Sequence, residues 1–275
     1  MNFSKLGWLR NVLRSTGIIK LIKYPDTLKK RRRTEFYNAN KPELAEMKLD
    51  KASFSMHVKD SLEWVRVQSF YDDKDILHAL SKQLKSDDCF WDVGTSLGLY
   101  SLYISKQLGK DGRVISYEPE LRSNARLKEN IQLNNANNIQ VVPLALGKEK
   151  DSFELALANE ASEGNHQIIY KNETTDLQTQ TVQVVKGESL TISNELPSPN
   201  IMKIDVEGQE ESVLNGCDSL IRRAECHTII IEVHFSVLHS RKDDEAVDRI
   251  TALLTDAGFN ELVWVDASHL AAYKN

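Results

Sequence analysis

No stretch of this 275-residue chain is both long and apolar enough to cross a bilayer, since a spanning helix needs about 20 consecutive apolar residues. The start does not read as a cleavable leader either. Lys5 and Arg10 are followed by Arg14, Lys20 and Lys23, which interrupt the apolar middle a leader requires. Cysteine is scarce. Cys89, Cys217 and Cys226 fit neither a disulfide framework nor the paired spacing of a zinc site, which points to a reducing, cytoplasmic compartment. A net positive balance is confined to the N-terminal segment. Residues 1–33 carry a net +9, while the rest carries −14. A nucleic-acid surface would show as a basic patch on the folded body, so no nucleic-acid partner is expected. There is no internal repeat and no low-complexity tract.

The basic N-terminal segment calls for its own account. Leu6, Leu9, Leu13 and Ile19 or Leu21 recur at helical spacing with cations between them and Trp8 beside them. This predicts an amphipathic helix over residues 4–23, broken at Tyr24-Pro25-Asp26. Two readings stay open. Residues 4–33, with the Lys29–Arg33 cluster, can lie on an anionic membrane surface. Alternatively the helix packs on the domain or on a second subunit, and the oligomeric state is not legible.

Further on, Phe54–Val58 and Trp64–Val67 read as short strands, and a helix follows at 73–85. From residue 89 strands and helices alternate. Strands are expected at 89–93, 113–118, 139–142, 201–206 and 227–233, with helices at 97–108, 121–134, 209–215 and 243–257. In the helix over 121–134, Leu121, Ala125, Leu127 and Ile131 are expected to face inward. Gly258 reads as a C-cap, and 260–265 and 270–274 as closing strands. Residues 151–186 look like an antiparallel insertion. The fold class is therefore α/β: a Rossmann-like, mostly parallel seven-stranded sheet with an antiparallel closing strand and helices on both faces. Residues 1–70 form an N-terminal helix and cap segment, and 71–275 the main domain.

In open α/β sheets ligands bind beyond the C-terminal ends of the strands, so the residues there carry the chemistry. The first strand ends in Asp92-Val93-Gly94-Thr95-Ser96-Leu97-Gly98. Gly94 lets the backbone approach a ligand closely, the following helix N-terminus offers free N–H groups to a carboxylate, and Asp92 can accept from an ammonium. S-adenosylmethionine (SAM) has both groups on its methionine end. A dinucleotide loop would read G-x-G-x-x-G. The missing middle glycine disfavours an NAD-dependent oxidoreductase. Glu118, 24 residues past Gly94 at the next strand end, is placed to accept from both hydroxyls of a ribose. Lys203-Ile204-Asp205-Val206-Glu207-Gly208 and Ile231-Glu232-Val233-His234 end the next two strands, and Asp205, Glu207, Glu232 and His234 can gather beside a reacting group.

Taken in order, Asp92-Val93-Gly94…Gly98-Leu99-Tyr100-Ser101, Tyr117-Glu118-Pro119, Lys203–Gly208 with Val213-Leu214-x-Gly216, and Glu232-Val233-His234 resemble the FkbM family of methyltransferases over about residues 88–265. The resemblance implies a SAM cofactor, the class I methyltransferase fold, and O-methylation of a sugar, glycan or natural-product hydroxyl. Thr95-Ser96 stands where that family often has Ala-Asn. On this reading Asp92, Gly94, Thr95, Ser96 and Gly98 serve the methionine end, Glu118 the ribose, and Ala145 the adenine. Asp205, also counted with the cofactor site, is with Glu207 and His234 a candidate for the base or for acceptor binding. His234 ranks first on its ordinary pKa. The acidic cluster also has the ligand chemistry of Mg or Mn, but no metal is assigned. A rival reading from another class is a non-catalytic SAM- or nucleotide-binding module that docks through the N-terminal helix.

Overall fold

The computed structural model describes residues 18–157, 167–169, 178–193 and 196–275, without the side chains of 18–25 and 167–169. Helix α1 (Ile18–Asn40) leads into a hairpin of β1 (Leu44–Leu49) and β2 (Ala52–His57), then α2 (Ser61–Ser69), one 3₁₀ turn (Phe70–Asp72) and α3 (Lys74–Gln83). The alternating part follows: β3 (Cys89–Val93), α4 (Leu99–Ser105), β4 (Arg113–Tyr117), α5 (Leu121–Leu133) and β5 (Ile139–Val142). A small sheet comes next, with β6 (Ala145–Leu146), β7 (Asp151–Ala156), β8 (Gln167–Ile169) and β9 (Thr179–Val185). After α6 (Gly187–Ile192) the main sheet resumes with β10 (Ile201–Ile204), α7 (Glu210–Gly216), α8 (Asp218–Ile221), β11 (Thr228–Glu232), α9 (Phe235–Ser240), α10 (Ala246–Asp256), β12 (Glu261–Trp264) and β13 (His269–Tyr273).

The main sheet has seven strands in the order β12-β13-β11-β10-β3-β4-β5. Its strands run parallel except β13, which is antiparallel to both β11 and β12. β3 and β10 are buried at every residue, as a parallel strand covered on both faces must be. Successive side chains point to opposite faces. Trp91 accordingly joins one core with Tyr117, Met202 and Ile229, while Phe90 joins the other with Val114, Ile201 and Ile230. That second core also takes in Met47, Phe54, Val67 and Phe70, so the N-terminal elements are packed onto the sheet. Strand order reverses between β3 and β10. The crevice for a ligand opens there.

The seven-stranded α/β arrangement is the one expected. Gly258 follows α10 at φ +93°, as a C-cap glycine should. Three local expectations are corrected. First, α1 runs unbroken through Tyr24-Pro25-Asp26. Proline fixes a helical φ and removes one hydrogen bond, and the later half of the helix is firmly held. Lys29 and Arg33 bind Asp72 at 3.0 and 2.8 Å, Tyr37 donates to the Lys59 carbonyl at 2.6 Å, and Phe36 stacks on Trp64. These contacts pack residues 29–37 on the domain, beyond the helix expected over residues 4–23. Residues 1–17, on which the membrane reading largely rests, lie outside the described residues, and no described helix is long and apolar enough to cross a membrane.

Second, Trp64–Val67 is helical. Asp60 caps α2 by accepting from the Glu63 N–H at 2.9 Å, and an Asp-x-x-Glu start outweighs a short run of strand formers. Third, the inner face of α5 is polar. Leu127 is buried, but Leu121 is 68% exposed, Ala125 is exposed, Ile131 is only half-buried, and Asn124, Arg126 and Asn130 are buried instead. Each of the three finds partners inside. Asn124 donates to the Glu118 carbonyl, Asn130 to the Leu97 carbonyl, and Arg126 to Glu63. Buried polar groups persist when bonded. The insertion is antiparallel where β7 meets β8 and β9, β6 adds a parallel pair with β9, and residues 158–166 and 170–177 lie outside the described residues.

Candidate active site

One cleft of about 1240 Å³ runs along the C-terminal strand ends, from Glu118 and Ala145 across Gly94 to Lys203, Glu232 and His269. Its two halves are built differently.

In the first half the chain turns on Gly94, whose φ is +85°. A Cβ there would lie 1.8 Å from the Asp205 carbonyl oxygen, so only glycine lets β3 and β10 end side by side. The Gly94 and Thr95 N–H groups both donate to the Tyr117 carbonyl, at 3.0 and 3.1 Å. This ties the loop to the end of β4. Glu118 follows directly. Its Oε2 accepts from the Ser96 N–H at 2.6 Å and its Oε1 from the Glu120 N–H at 2.9 Å. Burial pushes this carboxyl up to about 7, against the pull of those two N–H bonds. Arg66 donates to the Ser96 hydroxyl at 2.7 Å. Ala145, Leu144 and Phe153 continue the wall away from the loop.

Two residues read as cofactor contacts stand behind this wall. Asp92 is buried and turned toward α4, accepting from the Ser101 hydroxyl at 2.6 Å, while its Oδ1 has no hydrogen-bond partner among the described residues. Gly98 packs on α5, where a Cβ would come within 2.5 Å of Leu127 Cδ1. Neither lines the cleft; Gly94, Thr95, Ser96, Glu118, Ala145, Asp205 and Glu207 do.

The second half is a network of charges. Lys203 is fully buried in β10, opposite Asp92 in the parallel register. Its Nζ donates to Asp205 Oδ2 at 3.0 Å and lies 4.3 Å over the Tyr100 ring. Burial disfavours ionisation of Asp205, but Lys203 and His234 override it and hold the carboxyl below its usual range. His234 lies behind these acids. Its Nδ1 faces Glu210 Oε1 at 2.8 Å, and its Nε2 is 3.5 Å from Asp205 Oδ1 and 3.4 Å from Glu207 Oε2. Burial works against a charge on this imidazole, yet the bond to Glu210 and the fields of Asp205 and Glu207 push it up to about 9. It is therefore a cation at neutral pH with both nitrogens committed. That geometry opposes the rank given to it as a base. Burial raises Glu207.

Asp205, Glu232 and His234 bring one donor atom each within 4.8 Å of one another. Lys203 and protonated His234 already supply positive charge there. Sequence reasoning passed over Asp73, Tyr100, Glu210 and His269, and gave Lys203 no role. A lysine inside an otherwise apolar strand was a usable signal. Asp73 and His269 carry none, because only the tertiary fold brings them to the cleft.

The profile of the methyltransferase FkbM domain matches residues 92–261. The hexuronic acid methyltransferase AglP of Haloferax volcanii is 27% identical over 218 residues, covering 78% of this chain and 81% of that protein. Methyltransferase 1 of Beauveria bassiana is 26% identical over 150 residues, covering 48% and 59%. The crystal structure of methyltransferase FkbM from Methylobacillus flagellatus aligns with a TM-score of 0.48 at 15% identity, over 77% of this chain and about half (52%) of that one. The matched span holds the Gly94 turn, Glu118, the Lys203–Glu207 strand end and Glu232-Val233-His234, and the chain belongs to the FkbM methyltransferase family.

Proposed function

We propose that the chain moves the methyl group of SAM to a hydroxyl of a sugar, with hexuronic acid glycosides as the first acceptors to try. The observation that carries this reading is the Gly94 cradle beside Glu118, opening onto Lys203 and Asp205 within one cleft. With no Cβ on Gly94 the ends of β3 and β10 close up side by side and the turn lines the cleft, where open α/β sheets take their ligands. A carboxyl with a backbone donor on each oxygen keeps a free lone pair on each for vicinal hydroxyls. These features fit SAM, with Gly94–Ser96 at the methionine end, Glu118 on the ribose, and Ala145 at the adenine. Bound there, SAM would supply a methyl group already activated by a sulfonium.

The remaining work falls to the chain. It must align the acceptor oxygen, which can supply roughly 7–11 kcal/mol of the barrier, exclude water, and take up one proton. Asp205, Glu207 and Glu232 give the second half its negative character, which suits a positively charged sulfur nearby. The uronic acid choice is supported by the AglP relative, which shares most of its length with this chain.

The test is direct. Calorimetry with S-adenosylhomocysteine should show binding, and tritiated SAM should label one or more of a panel of glucuronides, galacturonides and neutral glycosides. No heat with either SAM or S-adenosylhomocysteine would end the methyl-transfer reading for this cleft. Label on neutral glycosides alone would end the uronic acid choice.

A further inference from the structure

We infer that Asp73, which precedes the family match, accepts the proton that the acceptor hydroxyl loses during methyl transfer. This rests on the methyl-transfer reading above. Asp73 joins the 3₁₀ turn to α3, and its side chain makes no helix-capping bond. It points into the cleft. Its Oδ2 accepts from the Tyr100 hydroxyl at 2.9 Å, and Oδ1 has no hydrogen-bond partner among the described residues. The Tyr100 ring lies under the Lys203 ammonium, so one side chain fixes both Asp73 and the cation beside the reacting groups.

The rival carboxylates are worse placed. Asp205 has Lys203 on one oxygen and faces His234 with the other. Glu207 faces His234, and Glu232 faces His269. Asp73 is held by a neutral phenol and forms no ion pair among the described residues. The groups acting on it are Tyr100 of α4, Lys203 of β10, Glu232 of β11 and His269 of β13. Burial pushes its carboxyl up to about 6, Tyr100, His269 and Lys203 pull it back, and Glu232 adds to the rise. A base with that value is ionised at neutral pH and is stronger than an ordinary aspartate.

In the step, the acceptor oxygen forms a bond to the methyl carbon as the carbon–sulfur bond breaks and its electron pair stays on sulfur. The hydroxyl proton passes to Asp73 Oδ1 and from there to solvent. The products are a methyl ether, S-adenosylhomocysteine and one proton.

Two measurements test this, and one needs no acceptor. In protein with carboxyl-¹³C aspartate, the resonance lost in Asp73→Asn should titrate near 6 in the native chain; a midpoint at 4 or below, the ordinary range of aspartate, overturns the proposal. With whichever glycoside of the panel the native protein methylates fastest, Asp73→Asn should lower kcat about 10²–10⁴-fold, abolish the acid limb near 6, and leave S-adenosylhomocysteine affinity unchanged. Unchanged turnover, or a collapse of S-adenosylhomocysteine binding, overturns it. Tyr100→Phe guards against a folding defect in the first variant. It removes a bond that favours the carboxylate, so the limb must move upward; a fixed limb also overturns the proposal. A native protein silent on every glycoside fails the acceptor reading instead, and the titration still decides about Asp73.

Discussion

The two halves of the cleft differ in what they are made of. The half assigned to the cofactor is centred on consecutive residues at two strand ends, and its shape there comes from backbone: a left-handed glycine, two N–H groups on one carbonyl, and a carboxyl bonded to two more N–H groups. The half assigned to the reaction consists of side chains from five separate segments, Asp73, Tyr100, Lys203–Glu207, Glu232 and His269, with His234 and Glu210 behind them. A site made of backbone fails when the turn cannot form. A site made of charges fails, or shifts, with the protonation of its members.

The sharpest way to break the comparison is Gly94→Ala. The new Cβ would sit 1.8 Å from the Asp205 carbonyl at a φ that side chains rarely adopt. The ends of β3 and β10 must part, so both halves suffer. We expect S-adenosylhomocysteine affinity to fall about a hundredfold or more, equivalent to about 3 kcal/mol, and the melting temperature to drop. Calorimetry showing affinity within about threefold of native would mean the turn is not the cradle.

Next in size is Glu118→Gln, which keeps the shape and removes the charge. Hydrogen bonds to a charged group contribute about 1.5–3 kcal/mol, so affinity should fall roughly ten- to a hundredfold. The native carboxyl titrates near 7, so native affinity should rise between pH 6 and 8, while the glutamine variant stays flat. Stability runs the opposite way. A carboxyl raised in the folded state contributes stability in full below its unfolded value of about 4.5, and loses it as pH climbs to about 7. The ligand-free variant should therefore gain on the native protein across that window. Parallel melting curves at pH 4.5 and 8 would expose the idea if no gap opens.

The same contrast explains what could be read in advance. Strand–turn–helix units announce themselves through apolar runs, glycines and the acids that follow them. Gly94, Glu118 and Asp205 were therefore legible as cleft residues, and so was the seven-stranded sheet. Asp92 and Gly98 belong to the same motif, but sequence cannot tell a residue that lines a cleft from one that holds its wall. Asp92 bonds Ser101, and Gly98 makes room for Leu127. Arg126 and Asn130 were passed over because a buried arginine or asparagine makes sense only once Glu63 and the Leu97 carbonyl are in place. Asp73 and His269 are far from every motif in the chain and reach the cleft through packing alone. His234 was found, but its role depends on three carboxylates around it, which no linear pattern displays.

His234→Gln gives the smallest expected effect and sharpens the division within the charged half. Protonated His234 is a counter-ion held by Glu210 with Asp205 and Glu207 on its other edge. Its folded pKa of about 9 exceeds the ordinary value, so its stabilising share is full below about 6.5 and fades as pH rises to about 9. Glutamine can still bond Glu210 but carries no charge. The variant should be less stable than native at pH 6 and nearly equal to it at pH 9.5. Turnover at pH 7.5 should fall less than about tenfold, below the range for loss of a general base. The limb near 6 should survive, because Asp73 is untouched. A fall of about 10³-fold with that limb erased would make His234 the base after all and return Asp73 to the wall of the cleft.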